Sequence, residues 1–244
     1  MTKTRNLPIA TFVNMTTVII GSLIGVSLQQ VFPENIEAII FQAIGLGTLL
    51  IGFLMAFKIP DGFLLIFIFS LILGGIFGEL LGVQKGLLAL GDWLKNSFQI
   101  GEENFTEGLV TAFLLFCIGS MTIVGAIEEG LSGKRELLLI KSLLDGITSI
   151  AFASTYGIGV LFSIFPMLII QGGITLLAAQ AHRFITDQII GIINAVGGAL
   201  IIGIGINLLK LGRINVENLL PAIVVGILLT YLYEKFQKRK ASST

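Results

Sequence analysis

Residues Gly62–Val83 read GFLLIFIFSLILGGIFGELLGV, with no charged residue before Glu79. As a helix rising 1.5 Å per residue this stretch is about 33 Å long, enough to cross a hydrocarbon core of about 30 Å. It is apolar all round, so water cannot be the solvent of any of its faces. The rest of the chain repeats the pattern. Of 244 residues 55% are apolar and 12% charged, against roughly 25% charged in a soluble protein. The mean hydropathy is +0.97. A cytosolic enzyme, a basic nucleic-acid binder and a disordered chain are excluded, because each needs polar surface this sequence lacks.

Eight apolar segments follow from the same reading, at about 9–29, 36–57, 62–83, 108–128, 138–161, 164–181, 188–209 and 218–234. Turn residues separate them: Phe32-Pro33-Glu34-Asn35, Lys58-Ile59-Pro60-Asp61-Gly62, Gly130-Leu131-Ser132-Gly133 and Phe165-Pro166. The first segment, from Ile9 to Leu28, is longer than a signal-peptide core and lacks a small-residue cleavage site, so it reads as a retained helix. Between the third and fourth segments, Leu87, Leu90, Leu94 and Phe98 recur at helical spacing beside Trp93, which predicts an amphipathic helix on the membrane surface. With both termini in the cytoplasm, inside segments hold 11 Lys and Arg and outside segments 4, as the positive-inside rule requires.

The expected fold class is an all-α integral membrane protein. A shift of 152 residues lays Gln42-Ala43-Ile44-Gly45 on Asn194-Ala195-Val196-Gly197, Lys58 on Lys210 and Gly21 on Gly173. Spans one to three therefore resemble spans six to eight with opposite orientation, an inverted repeat of the kind found in secondary transporters. One polytopic domain results: a first copy (1–83), an external connection (84–107), a central hairpin (108–161), a second copy (162–235) and a basic cytoplasmic tail (236–244).

Gly21/Gly25 and Gly74/Gly78 are GxxxG pairs, which suit close helix packing. Gly45/Gly47 and Gly197/Gly198 occupy matched places in the two copies, each three residues after an amide, Gln42 or Asn194. Glycine pairs there either pack helices or break them at the midplane, exposing backbone groups to a substrate. Asp145 is a carboxylate inside span five, with Lys141 one turn before it on the same face and Glu128 and Glu129 at the end of span four. A charge at that depth must face the bundle interior, so Asp145, Glu129 and Lys141 are the candidate ion or proton site, with a structural ion pair as the plain alternative. Asn14, Gln42, Gln171 and Asn194, with Gly45, Gly47, Gly197 and Gly198, are the candidate substrate-binding residues, and Thr17 and Asn207 add polar groups at lipid depth.

One cysteine, Cys117, and one histidine, His182, leave nothing for a disulfide or a His-based metal site. The sequence contains no catalytic triad, phosphate loop or metal-ligand cluster, so no enzyme activity and no cofactor are expected. The expected partners are the lipid bilayer and a small solute or ion; a homo-oligomer is compatible with the sequence, and no nucleic-acid partner is expected.

Several stretches are familiar in order along the chain. Phe12-Val13-Asn14 with Ile20-Gly21-Ser22-Leu23-Ile24-Gly25, Leu115-Phe116-Cys117 and Gly125-Ala126-Ile127-Glu128-Glu129-Gly130 resemble the YqgA/YdfK-like family of bacterial membrane proteins. So do Lys141-Ser142-Leu143-Leu144-Asp145, Ile169-Ile170-Gln171, Ala195-Val196-Gly197-Gly198 and Leu220-Pro221-Ala222. In that family a Leu-Pro-Ala element stands also in the third span, where this chain has Leu64-Leu65-Ile66. The resemblance implies a multi-span protein of the bacterial inner membrane and assigns no substrate. Three roles stay open: a proton- or cation-linked secondary transporter, an oligomeric channel, and a non-transporting scaffold.

Overall fold

The structure, a computed structural model, describes residues 7–29, 34–101, 104–117, 120–181 and 186–241. His182, Pro33 and the acidic pair Glu102 and Glu103 lie outside the described residues. All regular elements described are helical: α1 (Ile9–Gln29), α2 (Glu34–Ala56), α3 (Leu64–Leu81), α4 (Val83–Ser97), α5 (Phe105–Cys117), α6 (Ser120–Ser132) and α7 (Glu136–Tyr156). The short helices α8 (Gly159–Phe162) and α9 (Ile164–Met167) lead through a π-helical turn, Leu168–Gly172, into α10 (Gly173–Ala181). Then come α11 (Asp187–Leu208), α12 (Val216–Leu219) and α13 (Pro221–Ala241).

Among the described residues six helices are long and apolar enough to cross a membrane: Ile9–Gln29, Leu64–Leu81, Glu136–Tyr156, Gly159–Ala178, Asp187–Leu208 and Val216–Gln237. The expected fourth span is a bent pair instead, with the axes of α5 and α6 about 60° apart. The expected second span is occupied by α2, whose stretch Gln42–Ala56 is apolar.

The chain divides into two compact units, Met1–Ile44 with Leu87–Arg183, and Gly45–Gly86 with Phe184–Thr244. In the first, α1 and α7 lie side by side and parallel. Thr17 Oγ1 donates to the Ser142 carbonyl at 2.7 Å, and a Cβ on Gly146 would stand 2.9 Å from that of Thr17. Further along, a Cβ on Gly21 would strike the Gly146 carbonyl and Ser149 Oγ, and one on Gly25 the Ile150 carbonyl. The first GxxxG pair thus lets two backbones touch. α4 packs here through Leu94, which clusters with Phe105, Leu109 and Phe162. Leu90, Trp93 and Phe98 stay exposed, as on a helix lying against lipid.

The turn between the fifth and sixth spans is not at Phe165-Pro166, as expected, but at Gly157. Its φ of 73° and ψ of −155° suit glycine alone. Pro166 consequently lies inside the sixth span. Lacking an N–H, it cannot bond the Phe162 carbonyl four residues back, and the span is segmented around it.

In the second unit the packed pairs are antiparallel. Against α11, a Cβ on Gly45 would meet Leu209 at 2.7 Å, one on Gly52 the Ile202 nitrogen at 2.8 Å, and Leu49 lies 2.8 Å from one on Gly205. Against α12 and α13, Gly78 opposes Asn218, Gly74 opposes Ala222 and Ser70 opposes Gly226. The rings of Phe63 and Tyr233 meet edge to face at 5.3 Å. α13 in turn runs antiparallel to α11, with Thr186 bonded to Glu234 and Gly226 against Ile192.

Candidate functional site

A buried polar cluster lies in the first unit, on the seam between α1 and α7. Asp145 is the tenth of the 21 residues of α7, at the helix's midpoint. Its Oδ2 accepts from Lys141 Nζ and, at 2.9 Å, from Asn14 Nδ2. Asn14 Nδ2 also donates to Gln171 Oε1 at 3.1 Å. Asn14 and Gln171 are fully buried, and Lys141 and Asp145 are 6% and 7% exposed. The face of Phe116 lies 6.0 Å from the ammonium, a favourable place for a cation shielded from water.

Each position has a local cause. Lys141 and Asp145 are one helical turn apart, so their side chains meet without tertiary help. Asn14 reaches Asp145 only because the glycines of α1 and α7 bring the two backbones together. Gln171 sits in the π turn, where one extra residue per turn shifts the side chain's direction relative to an α-helix; such turns recur at functional sites.

One turn back along α1 is a second charged contact. Glu129 is fully buried, and its Oε1 accepts from Arg135 Nε at 2.8 Å and from the Ala10 N–H at 2.9 Å. The Ala10 N–H is one of the donors a helix start leaves unmet, so Glu129 caps α1 and pins the α6–α7 turn to it. Glu128 is exposed. Four buried atoms near this stretch of α1 have no hydrogen-bond partner among the described residues: Thr11 Oγ1, Asn14 Oδ1, Glu129 Oε2 and Gln171 Nε2. An unpaired polar atom away from water costs about 1–3 kcal/mol, so such a group marks a place for a polar ligand or water.

The expected site residues therefore separate. Asn14, Gln171, Asp145 and Lys141 converge, whereas Glu129 is held by Arg135 and the start of α1. Gln42 is exposed on α2. Asn194 is 5% exposed in the second unit, and its Oδ1 has no partner among the described residues. Of the two readings of the glycine pairs, packing and breaking, the helices follow the first: α2 runs unbroken through Gly45 and Gly47, and α11 through Gly197 and Gly198. Gly45 receives Leu209, and a Cβ on Gly198 would collide with the Ala56 backbone. These two let α2 and α11 pack, the commoner use of membrane glycines. Gly47 faces nothing within 4 Å. The irregular helix is Gly159–Ala178, which stays continuous but holds a proline and a π turn. Asn207 is exposed and exchanges two 2.8 Å hydrogen bonds with the Ile214 backbone, closing the loop after α11. Sequence reasoning missed Arg135 and Phe116, whose partners lie at spacings that reveal nothing along one chain. Pro166 was the available signal for the irregular helix Gly159–Ala178.

The chain resembles known proteins along nearly its whole length. Its relatives include "Uncharacterized membrane protein YdfK" of Bacillus subtilis, 33% identical over 231 residues, covering 94% of this chain and 98% of that protein. "Uncharacterized protein YqgA" of Escherichia coli is 31% identical over 224 residues, covering 90% and 94%. No solved structure matches. The profile described as "Protein of unknown function (DUF554)" matches residues 9–231, which includes every residue of the buried cluster. This helical membrane protein belongs to the DUF554 family.

Proposed function

We propose that the protein is a small secondary transporter, proton- or cation-linked, with Asp145, Lys141, Asn14 and Gln171 as its site. The observation that carries this reading is an ion pair buried at the midpoint of a membrane helix, joined to two amides that keep unpartnered atoms. Ionisable groups at that depth are costly and mark ion or substrate paths. The π turn within Gly159–Ala178 supplies Gln171 at the same place.

Eight crossings, as in the sequence reading, are supported by helix direction. Parallel membrane helices are separated along the chain by an odd number of crossings. α3 and α11 both oppose α13, so they are parallel to each other. Between them lie α7 and Gly159–Ala178, and the bent pair α5–α6 supplies the third crossing. α1 and α7 are also parallel; α3 and the bent pair lie between them, and α2 is the third. The antiparallel packing of α2 on α11 agrees, with four crossings between them.

The inverted repeat gains support from the same contacts. A two-fold axis in the membrane plane makes a helix meet its own equivalent antiparallel. Residue by residue, the α2–α11 contact places Ile51 opposite Gly203, and the α3–α13 contact places Ile72 opposite Val224. Both pairs are 152 residues apart, the shift found in the sequence. α1 likewise meets its counterpart span, through Asn14 and Gln171. With both termini cytoplasmic in a bacterial inner membrane, cysteines placed at Asn96 and Leu211 in a Cys117→Ala background label from outside, and those at Asp61 and Lys134 from inside.

A non-transporting scaffold is the second reading, favoured by the unbroken α2 and α11 and by the closed Lys141–Asp145 pair. Reconstitution decides between them. Purified protein in vesicles loaded with a pH-sensitive dye is challenged with small solutes, beside Asp145→Asn. Solute-dependent proton movement that the variant loses supports the transporter. Silence toward every solute class, with wild type and variant alike, overturns it.

A further inference from the structure

Resting on the transporter reading of the Asp145 site, we propose that its substrate is a small monoanion of the carboxylate class that binds together with one proton. The charge balance of the cluster leads there. Lys141 is its one cation and Asp145 its one anion, since Glu129 is answered by Arg135. Among the described residues the facing elements add no further charge: α1 presents Thr11, Asn14 and Thr17, α5 the Cys117 thiol, and the π turn Gln171. The site is neutral as it stands, and a net charge at this depth is costly.

A metal cation fits poorly. It would stand beside the Lys141 ammonium, and the free oxygens, Asn14 Oδ1 and Thr11 Oγ1, fall far short of the six or more a hard divalent cation takes. Protonation needs no such shell. A proton taken from water onto Asp145 turns the carboxylate into a neutral acid and leaves Lys141 unbalanced over the Phe116 ring. An entering anion restores neutrality by accepting from Lys141 Nζ and from Gln171 Nε2, a buried donor without a partner among the described residues. Proton and anion then leave together, so the neutral state recurs at each end of the cycle and neither charge crosses alone.

The test is thermal stabilisation of purified protein by acetate, acetamide and methylammonium, above the pH range in which acetate itself titrates. Acetate alone should stabilise. Above the titration of Asp145 its apparent Kd should rise about tenfold per pH unit, the slope for one proton taken up with each anion. Asp145→Asn mimics the protonated acid, so acetate should bind it with no pH dependence and restore its lost stability. Lys141→Met should weaken acetate at least tenfold. Should the variants not fold, calorimetry on the wild type in buffers of different ionisation enthalpy reads the same linkage as one proton absorbed per acetate. Equal stabilisation by acetamide, stabilisation by methylammonium, loss of acetate binding in folded Asp145→Asn, or acetate binding without proton uptake each overturns the proposal. Acetate binding of the expected kind without acetate-driven proton movement in vesicles overturns transport and keeps the ligand class. Proton-linked flux of another solute, with no acetate binding, does the reverse.

Discussion

Gly21→Ala places a methyl group where α1 and α7 touch. The new Cβ would meet the Gly146 carbonyl and Ser149 Oγ; the carbonyl belongs to backbone and cannot rotate away. Relief requires the helices to part by on the order of 1 Å, and overpacking of this kind costs about 1–3 kcal/mol. The same movement stretches the 2.9 Å bond from Asn14 to Asp145 beyond hydrogen-bonding range. A hydrogen bond to a charged group contributes about 1.5–3 kcal/mol, so the total loss is about 2.5–6 kcal/mol. At roughly 2–4 °C per kcal/mol for a chain of this size, the melting temperature falls by roughly 5–24 °C. Gly47→Ala is the control: its Cβ meets nothing within 4 Å, and leaving glycine in mid-helix gains about 0.5–1 kcal/mol. The assay is built in, because Cys117 is the one cysteine and is buried, so a thiol-reactive dye reports unfolding. If Gly21→Ala melts like the wild type, or Gly47→Ala falls as far, the close α1–α7 contact is wrong.

Four further substitutions probe the charges and the loop. Asp145→Leu leaves Lys141 buried and unpaired and should cost about 3–5 kcal/mol, while Lys141→Met with Asp145→Leu should recover most of that loss. The recovered double variant should be stable yet inactive in vesicles; full activity would make the pair structural only. Glu129→Gln removes the charge that Arg135 and the Ala10 N–H share, with a loss of about 1–3 kcal/mol and faster hydrogen exchange confined to the first turn of α1. Asn207→Ala opens the two bonds to Ile214, at about 0.5–1.5 kcal/mol each, and should speed proteolysis of the Leu209–Asn215 loop without altering the site.

Composition and apolar run length made the membrane class and most span positions legible. Gly62–Val83 could not be anything but a lipid-solvated helix, and α3 occupies it. The fourth and sixth spans were less legible. Both have enough apolar residues to be counted, but the bend of the one and the π turn of the other depend on where backbone bonds are lost, and apolarity does not report that. At the site, Lys141 and Asp145 were legible because one helix turn joins them. Gln171 was nominated only as an amide at depth, and its meeting with Asn14 spans 157 residues of chain. The glycine pairs were ambiguous in sequence, since the small volume that permits a break also permits close packing. Their neighbours decide: Leu209 fills the space at Gly45, and the Ala56 backbone comes up against Gly198.

The sequence by itself determined the solvent of this protein and its helical class, because these depend on side-chain hydrophobicity counted along one chain. Tertiary structure alone decided which groups meet across helices. Lys141 pairs with Asp145 within one turn of α7. Asn14 joins that pair, with Gln171 behind it, because Gly21, Gly25 and Gly146 let α1 and α7 approach until their backbones touch. Glu129 was drawn to Arg135 and the α1 start for the same reason: a buried charge goes to the nearest donor that packing provides, and sequence distance does not measure that.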